Sequence, residues 1–202
     1  MAVNRVPVLK RCRSLGLEPA YLGYDKKSNR TARTGKKMSE YGLQLREKQK
    51  AKFIYGVLEK PFYHYFEIAE KMEGKAGENL ITILESRLDN VVFRMGMALT
   101  RRESRQLVSH GHFMVNGQKV DIPSYRVKVG DVIELCEKSK KSDKFKDVAE
   151  ATKGRVVPLW LEANRDAATA KIVRMPVKDD LDYEVEETSV SYTHLRAHET
   201  RR

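Results

Sequence analysis

Residues 100–120, TRRESRQLVSHGHFMVNGQKV, contain the start and stop signals of a short helix, followed at once by those of a β-hairpin. Thr100 with Glu103 three residues later forms a capping box. Gly111 suits the left-handed residue that ends a helix. Asn116-Gly117 is a preferred dipeptide of two-residue hairpin turns. This order of signals predicts a compact unit in which a helix leads directly into antiparallel strands.

The flanking segments predict further helices. GENLITILESRLDNVVFRMGMA repeats apolar residues at helical spacing and predicts one long amphipathic helix. Ser39 suits the cap of a helix that runs to about Tyr55, and Pro61 suits the first turn of another. YRVKVGDVIEL predicts a second hairpin that turns at Gly130-Asp131. We expect Trp160, the only tryptophan, to lie in the core.

The first 38 residues are rich in Gly, Ser, Asn, Lys and Arg, and no helical period is sustained among them. Low apolar periodicity with a strong charge bias is typical of segments that do not fold alone. We therefore predict an extended arm that becomes ordered mainly on its partner.

Positive charge is concentrated in two blocks. Residues 1–52 hold 14 Lys and Arg against 4 Asp and Glu, and residues 101–146 hold 11 against 6, whereas residues 53–100 hold 5 against 7. Two such blocks favour a polyanionic partner. The alternative, that basic tails only aid solubility, is weaker because the second block lies inside sequence with folding signals.

Three arginines, Arg101, Arg102 and Arg105, open the predicted helix. Cations at a helix N-terminus are unfavourable by ~0.3–1 kcal/mol each, because unpaired N–H groups already make that end positive. An anion bound by the N–H groups and the guanidinium groups together would offset that repulsion. The arrangement predicts a phosphate-binding surface, although a charged solvent-facing helix without a ligand is the alternative.

No arrangement typical of an active site is found. The five histidines lack partners at metal-ligand spacing, and no nucleophile elbow or nucleotide-binding glycine loop occurs. We therefore predict no catalytic residue, no cofactor and no metal. Two isolated cysteines fit a reducing cytosol, and the apolar runs are far shorter than the ~18 residues of a membrane span. The sequence predicts a cytoplasmic location without a membrane partner.

Long segments then identify a family by resemblance. KMSEYGLQLREKQKAKFIYGVLEKPF, GENLITILESRLDNVVFRMGMALTRRESRQLVSHGHFMVNGQKVDIPSY and VIELCEKSKK closely resemble the bacterial small-subunit ribosomal protein four family. Residues 89–150 resemble the RNA-binding module that recurs in pseudouridine synthases and tyrosyl-tRNA synthetases. The resemblance implies direct binding to a multi-helix junction in the 5′ domain of small-subunit ribosomal RNA early in assembly. It also implies a place beside ribosomal protein five, near where messenger RNA enters, and an influence on decoding accuracy.

With this resemblance, the predicted fold class is α+β. We expect an extended basic arm over 1–38, a mostly helical domain formed by 39–88 and 151–188, and an inserted RNA-binding module over 89–150. The module would comprise two helices and a small antiparallel sheet.

The sequence departs from the family pattern at two places. Some members bind zinc through a cysteine cluster in the arm, whereas this arm holds Cys12 alone, so no zinc site is expected. From about Ser189 the chain reads SVSYTHLRAHETRR, which resembles a translated transposon-end adapter. We expect residues 189–202 to have no native role.

The predicted RNA-binding residues are basic or polar side chains of the arm, the first long helix and the helix–hairpin unit: Arg11, Arg13, Lys36, Lys37, Arg46, Lys48, Lys50, Thr100, Arg101, Arg102, Arg105, His110, Asn116 and Lys119. Two other functions remain as alternatives. An RNA-modifying or RNA-charging enzyme would carry the same module beside a catalytic domain. A helix-turn-helix DNA regulator would also present arginines, but the hairpin directly after the second helix weighs against it.

Overall fold

The computed structural model of the chain describes residues 6–26, 30 and 39–183. The chain divides into two compact units: unit 1 comprises residues 1–80 and 181–202, and unit 2 comprises residues 81–180. Helices and an antiparallel sheet are both present, which confirms the predicted α+β class. Within the described residues, no helix has both the length and the apolar character needed to cross a bilayer.

The described part of unit 1 is helical. Its elements are α1 (Val8–Leu15), a 3₁₀ turn (Pro19–Leu22), α2 (Glu40–Ile54), α3 (Glu59–Glu70) and the first turns of α4 (Ala76–Glu85). The predicted cap of α2 is confirmed, because the Ser39 hydroxyl accepts a hydrogen bond from the Gly42 amide at 3.2 Å. Ile54 and Phe62 are completely buried in the core of this unit.

Part of the predicted extended arm is folded. α1 and the 3₁₀ turn bury Cys12, Leu15 and Leu22. The Arg46 guanidinium of α2 donates a hydrogen bond to the Leu15 carbonyl at 3.0 Å. The prediction of an arm without a fold is therefore wrong for residues 8–22. Val8, Cys12 and Leu15 recur at helical spacing, but over only two turns. A helix this short is marginal alone, and contacts with α2, distant in sequence, stabilise it.

The long helix predicted over GENLITILESRLDNVVFRMGMA is two helices, α4 and α5 (Leu88–Arg94). Arg87 between them is extended, with φ −69° and ψ 138°. The backbone around it pairs with a distant segment: the Leu88 amide donates to the Tyr125 carbonyl at 2.8 Å, and the Val127 amide donates to the Ser86 carbonyl at 2.9 Å. This non-local pairing competes with helical hydrogen bonds and divides the predicted helix.

Unit 2 contains α6 (Arg101–Ser109), α7 (Glu137–Lys140), α8 (Asp143–Ala151) and a five-stranded antiparallel sheet. The strands are β1 (Phe113–Val115), β2 (Gln118–Lys119), β3 (Val132–Leu135), β4 (Leu161–Asn164) and β5 (Thr169–Ile172), in the order β2-β1-β3-β5-β4. The predicted hairpin at Asn116-Gly117 is confirmed, and both residues have positive φ, 50° and 77°.

Two predictions about this sheet are wrong. Residues 161–172, expected in the helical domain, form β4 and β5, and β5 pairs with β3. β3 was expected to pair across Gly130-Asp131 in a hairpin, but it lies between β1 and β5. Pairing with β1 and β5 provides hydrogen-bond partners for the backbone of β3 on both of its edges. Which strands pair with β3 therefore depends on segments far away in the sequence.

One face of the sheet packs against the helices of unit 2. Phe113, Ile133 and Ile172 from three strands are completely buried, together with Val91 and Val92 of α5. Trp160 belongs to the same cluster and is 1% exposed, as the sequence predicts. The core therefore fixes α6 and the β1–β2 hairpin with respect to each other, and these two elements hold the predicted binding residues of unit 2.

Candidate nucleic-acid interface

The N-terminus of α6 is capped by the protein itself. The Thr100 hydroxyl accepts a hydrogen bond from the Glu103 amide at 3.1 Å. The Glu103 carboxylate in turn accepts one from the Leu99 amide at 2.9 Å. The Thr100 half of the predicted capping box is thus confirmed, whereas the Glu103 carboxylate binds the amide of Leu99 rather than that of Thr100. The Glu103 N–H that could have bound an anion already has a partner. Thr100 therefore acts as a cap within the fold.

Arg101 is inside the unit rather than on its surface. Its residue exposure is 7%, and its Nε donates to the Asn90 side-chain oxygen at 3.2 Å. Its guanidinium lies 4.4 Å from the centre of the Phe93 ring, and the Arg155 guanidinium lies 4.3 Å from the same ring. Such cation–π contacts stabilise the fold when they are desolvated. Arg101 therefore positions α6 from within, in contrast to its predicted place on the contact face.

Arg105 is partly accessible and lies beside a buried ion pair. Arg87 binds Asp89 through two hydrogen bonds, Nε–Oδ1 at 3.0 Å and Nη2–Oδ2 at 2.6 Å. The Arg105 Nη1 is 3.7 Å from the same Oδ2, and the Arg105 side chain is 24% exposed. Arg102 is likewise half-buried. These two arginines are the α6 cations that remain accessible to a ligand.

Asn116 and Lys119 of the hairpin have different roles. Asn116 donates to the Asp131 carboxylate and accepts from the Val132 amide, both at 2.9 Å, so its side chain stabilises the turn. Lys119 is exposed and its side chain extends over Gly111. A Cβ placed on Gly111 would lie 2.8 Å from the Lys119 ammonium nitrogen, which shows how closely this lysine covers the end of α6.

Four groups are positive or can become positive: His110, His112 and Lys119 at the end of α6, and Lys144 of α8, which also acts on His112. They are here called the His–Lys cluster. The two imidazole rings are 6.2 Å apart, and the His112 ring lies 5.5 Å from the Phe145 ring of α8. Burial lowers the pKa of His112 below 6.5, and His110, Lys144 and Lys119 lower it further. Lys144 is 3.3 Å from the Glu103 carboxylate.

In unit 1 the predicted cations of α2 and α1 are bonded within the protein. Lys48 is 6% exposed and pairs with Glu59 at 2.7 Å, and Lys50 pairs with Glu47 at 2.5 Å. Arg11 donates to the Gln49 side chain at 3.2 Å. Arg46, as described above, binds the Leu15 carbonyl. These contacts argue against Lys48 as a surface RNA ligand. Arg13 is half-buried, and Lys36 and Lys37 lie outside the described residues.

Comparisons with known proteins agree with this architecture. Residues 4–85 match the family model described as Ribosomal protein S4/S9 N-terminal domain, and residues 86–133 match the S4 domain. The chain is 60% identical to small ribosomal subunit protein uS4 of Lachnospira eligens over 188 residues. This aligned region covers 93% of this chain and 95% of the relative. The uS4 protein of Agathobacter rectalis is 58% identical over 93% of this chain and 95% of its own length. The uS4 protein of Fusobacterium nucleatum is 51% identical over 94% of this chain and 97% of its own length.

The chain belongs to the uS4 family. The identification by resemblance is thereby confirmed. In this uS4-family chain the S4-domain match, residues 86–133, begins between α4 and α5 and ends in β3, so it includes α6 and the β1–β2 hairpin. The match therefore coincides with the part of unit 2 where accessible cations are gathered.

Two members of the His–Lys cluster, His112 and Lys144, are absent from the sequence predictions. The histidines lack partners at metal-ligand spacing in the sequence, so His112 has no predicted role there. Among the described residues, no group of three His, Cys, Asp or Glu is arranged to hold a metal. Lys144 belongs to the basic run KSKKSDKFK, which lies inside the second block of positive charge over residues 101–146. The density of lysines in that run is the signal that could have drawn attention to it.

Proposed function

We propose that this chain is a structural component of the small ribosomal subunit and binds small-subunit ribosomal RNA through unit 2. It is a ribosomal protein rather than an enzyme. The observation that carries the proposal is the His–Lys cluster, which lies on the same unit as the accessible Arg102 and Arg105. A gathering of cations on one small unit is repulsive in isolation and favourable against a phosphate backbone.

The chemistry of these side chains favours contact with phosphates and recognition of RNA shape. Lysine ammonium groups and arginine guanidinium groups bind phosphate oxygens of any sequence, so they position a protein more than they read bases. Structured RNA presents closely spaced phosphates, and its shape selects which of them the cluster can reach together. The proposed specificity is therefore for folded ribosomal RNA over duplex DNA.

The test is binding of the full chain to a transcript of the 5′ domain of small-subunit ribosomal RNA at several salt concentrations. We expect affinity to fall with salt, with a log–log slope of several units if several phosphates are bound. Lys119→Gln should weaken binding and reduce that slope by roughly one unit. Lys171→Gln is the matched control, because Lys171 is an exposed lysine on β5, separated from β2 by β1 and β3.

Competition with duplex DNA separates this proposal from the DNA-regulator alternative. Duplex DNA should displace the chain from the transcript far less well than unlabelled transcript does. Equal displacement by both, or an affinity independent of salt, would contradict ribosomal RNA as the ligand. An RNA-modifying enzyme is not favoured by any arrangement of side chains in the described part of the chain.

The resemblance to the family supports finer proposals. The chain would bind early in assembly of the subunit body, lie beside ribosomal protein five near where messenger RNA enters, and influence decoding accuracy. It would reside in the cytoplasm with the ribosome. Stepwise reconstitution of subunits with and without the chain tests the assembly role, because later proteins should then join poorly when the chain is left out.

A further inference from the structure

His112 has surroundings that make its charge sensitive to a bound anion. Its Nδ1 is 2.8 Å from the Ser139 hydroxyl of α7, and its ring packs edge-on against Phe145 of α8. The side chain is half-buried, while its neighbour His110 is exposed. The imidazole is therefore held in one place by the fold and remains partly accessible.

The charged groups facing His112 come from three elements, and they are mainly cations. His110 lies at the end of α6, Lys119 comes from β2 and Lys144 from α8. Glu103 of α6 supplies a counter-charge to one of these cations, because it pairs with Lys144 at 3.3 Å. Lys140 of α7 pairs with its own helix neighbour Glu137 at 2.7 Å. A proton on His112 would thus join an existing group of positive charges.

We propose that the His–Lys cluster is a phosphate-binding site in which His112 binds the anion as imidazolium, so that RNA binding takes up a proton. The inference rests on the proposed function, and it names the ligand group and one chemical consequence. A phosphate among His110, Lys119 and Lys144 replaces mutual repulsion by attraction. The same anion favours the charged form of a nearby imidazole.

The sign of the effect follows from linkage. In the free chain, burial and the neighbouring cations hold the pKa of His112 below its usual value, so near neutral pH the ring carries less positive charge than an ordinary histidine does. An RNA phosphate raises that pKa, so the bound state carries more protons than the free state. Affinity for RNA therefore increases as pH falls through the interval between the two pKa values, by at most about tenfold per pH unit for one proton.

Binding of the full chain to the 5′-domain transcript at about pH 6 and about pH 8, at fixed salt, tests the inference. We expect tighter binding at the lower pH, by roughly threefold or more. His112→Gln keeps a polar group beside Ser139 but cannot gain charge, so its ratio of affinities at the two pH values should be clearly smaller. His64→Gln is the matched control, because His64 is a histidine of α3 with a 68% exposed side chain, and it should keep the wild-type ratio.

Titration of the isotope-labelled full chain with inorganic phosphate, followed by imidazole NMR, provides an independent measurement. Phosphate should raise the pKa of His112 more than that of His64. The inference would be overturned if phosphate left the pKa of His112 unchanged, or if His112→Gln kept the wild-type ratio of RNA affinities at the two pH values. The proposed function would still stand in that case, provided that the chain bound RNA strongly at both pH values. Failure of the wild-type chain to bind the transcript at either pH would contradict the proposed function itself.

Discussion

The basic residues of α2 and those at the end of α6 look alike in the sequence but differ in the structure. Arg46, Lys48, Lys50 and Lys52 of α2 each contact an oxygen of the protein. In the His–Lys cluster, by contrast, the charges that act on His112 are cations, and of the three only Lys144 is described above with a carboxylate contact. Charge density in a sequence therefore shows how many cations a segment carries, while the fold determines which of them remain available to a ligand.

The ion pairs of this chain also differ in burial, and removing the carboxylate of a buried pair should have the largest effect. Glu85 is 1% exposed and binds Arg94 through two hydrogen bonds, at 3.0 Å and 3.2 Å. Its carboxylate also accepts from Asn90 at 2.7 Å. Glu85→Ala leaves the buried Arg94 charge without this partner, and we expect a loss of about 3–5 kcal/mol in the free energy of unfolding.

The control lies on the same helix. Glu78 pairs with Lys75 at 2.9 Å, but the two side chains are 47% and 81% exposed. Glu78→Ala should reduce the free energy of unfolding by less than about 1 kcal/mol. Urea denaturation of both variants measures the difference. Equal losses would show that burial does not separate the two kinds of ion pair in this chain.

The structural predictions that the sequence made correctly rest on local signals. The caps at Ser39 and Thr100 and the turn at Asn116-Gly117 involve residues within three positions of each other, so a short stretch contains all the atoms that matter. The break at Arg87 and the pairing of β5 with β3 depend on segments far apart in the chain. No local pattern identifies such partners, because any extended segment can pair with several others.

The parts of the candidate site that the sequence predicts also rest on local signals. The basic character of residues 101–146 and the positions of His110 and Lys119 follow from the sequence. The burial of Arg101 does not follow from the sequence, because it depends on contacts around the Phe93 ring that also involve Arg155, 54 positions after Arg101. His112 joins the cluster only when α7 and α8 pack beside α6, so its role emerges from tertiary contacts.

Gly111 tests how closely the His–Lys cluster is packed. Its φ is +71°, a conformation that alanine adopts with strain, and an added Cβ would meet the Lys119 side chain. We expect Gly111→Ala to reduce the free energy of unfolding by about 1–3 kcal/mol and to displace Lys119. Thermal or urea unfolding measures the stability change.

Gly154→Ala is the matched control. Nothing lies within 4 Å of a Cβ built at Gly154, and its φ is outside the left-handed region. This variant should be neutral or more stable by about 0.4–1 kcal/mol, because alanine restricts the unfolded chain. If Gly111→Ala behaved in the same way, the close approach of Lys119 would have no energetic consequence.

The smallest expected effect concerns the carboxylate that binds two cations of α2. Burial alone would raise the pKa of Glu59, but hydrogen bonds from Lys48 and Lys52 dominate and lower it to about 2. A carboxyl group with a lowered pKa in the folded state stabilises the fold above its unfolded pKa of about 4.5. That contribution is lost as pH falls from about 4.5 to about 2. The Glu59 side chain is 53% exposed, so solvent screening keeps the contribution near or below about 1 kcal/mol.

Glu59→Gln should therefore be slightly less stable than the wild type at neutral pH, and the difference should shrink as the solution is acidified towards about pH 2. Glu70→Gln, at an exposed position of the same helix, removes one carboxylate without removing the contacts to α2. The measurement is the free energy of unfolding of the wild type and of both variants across this pH range. A Glu59→Gln deficit that stayed constant with pH would mean that Lys48 and Lys52 do not depend on this carboxylate. The contrast between paired cations in α2 and accessible cations near α6 would then need another physical cause, such as burial of the Lys48 stem.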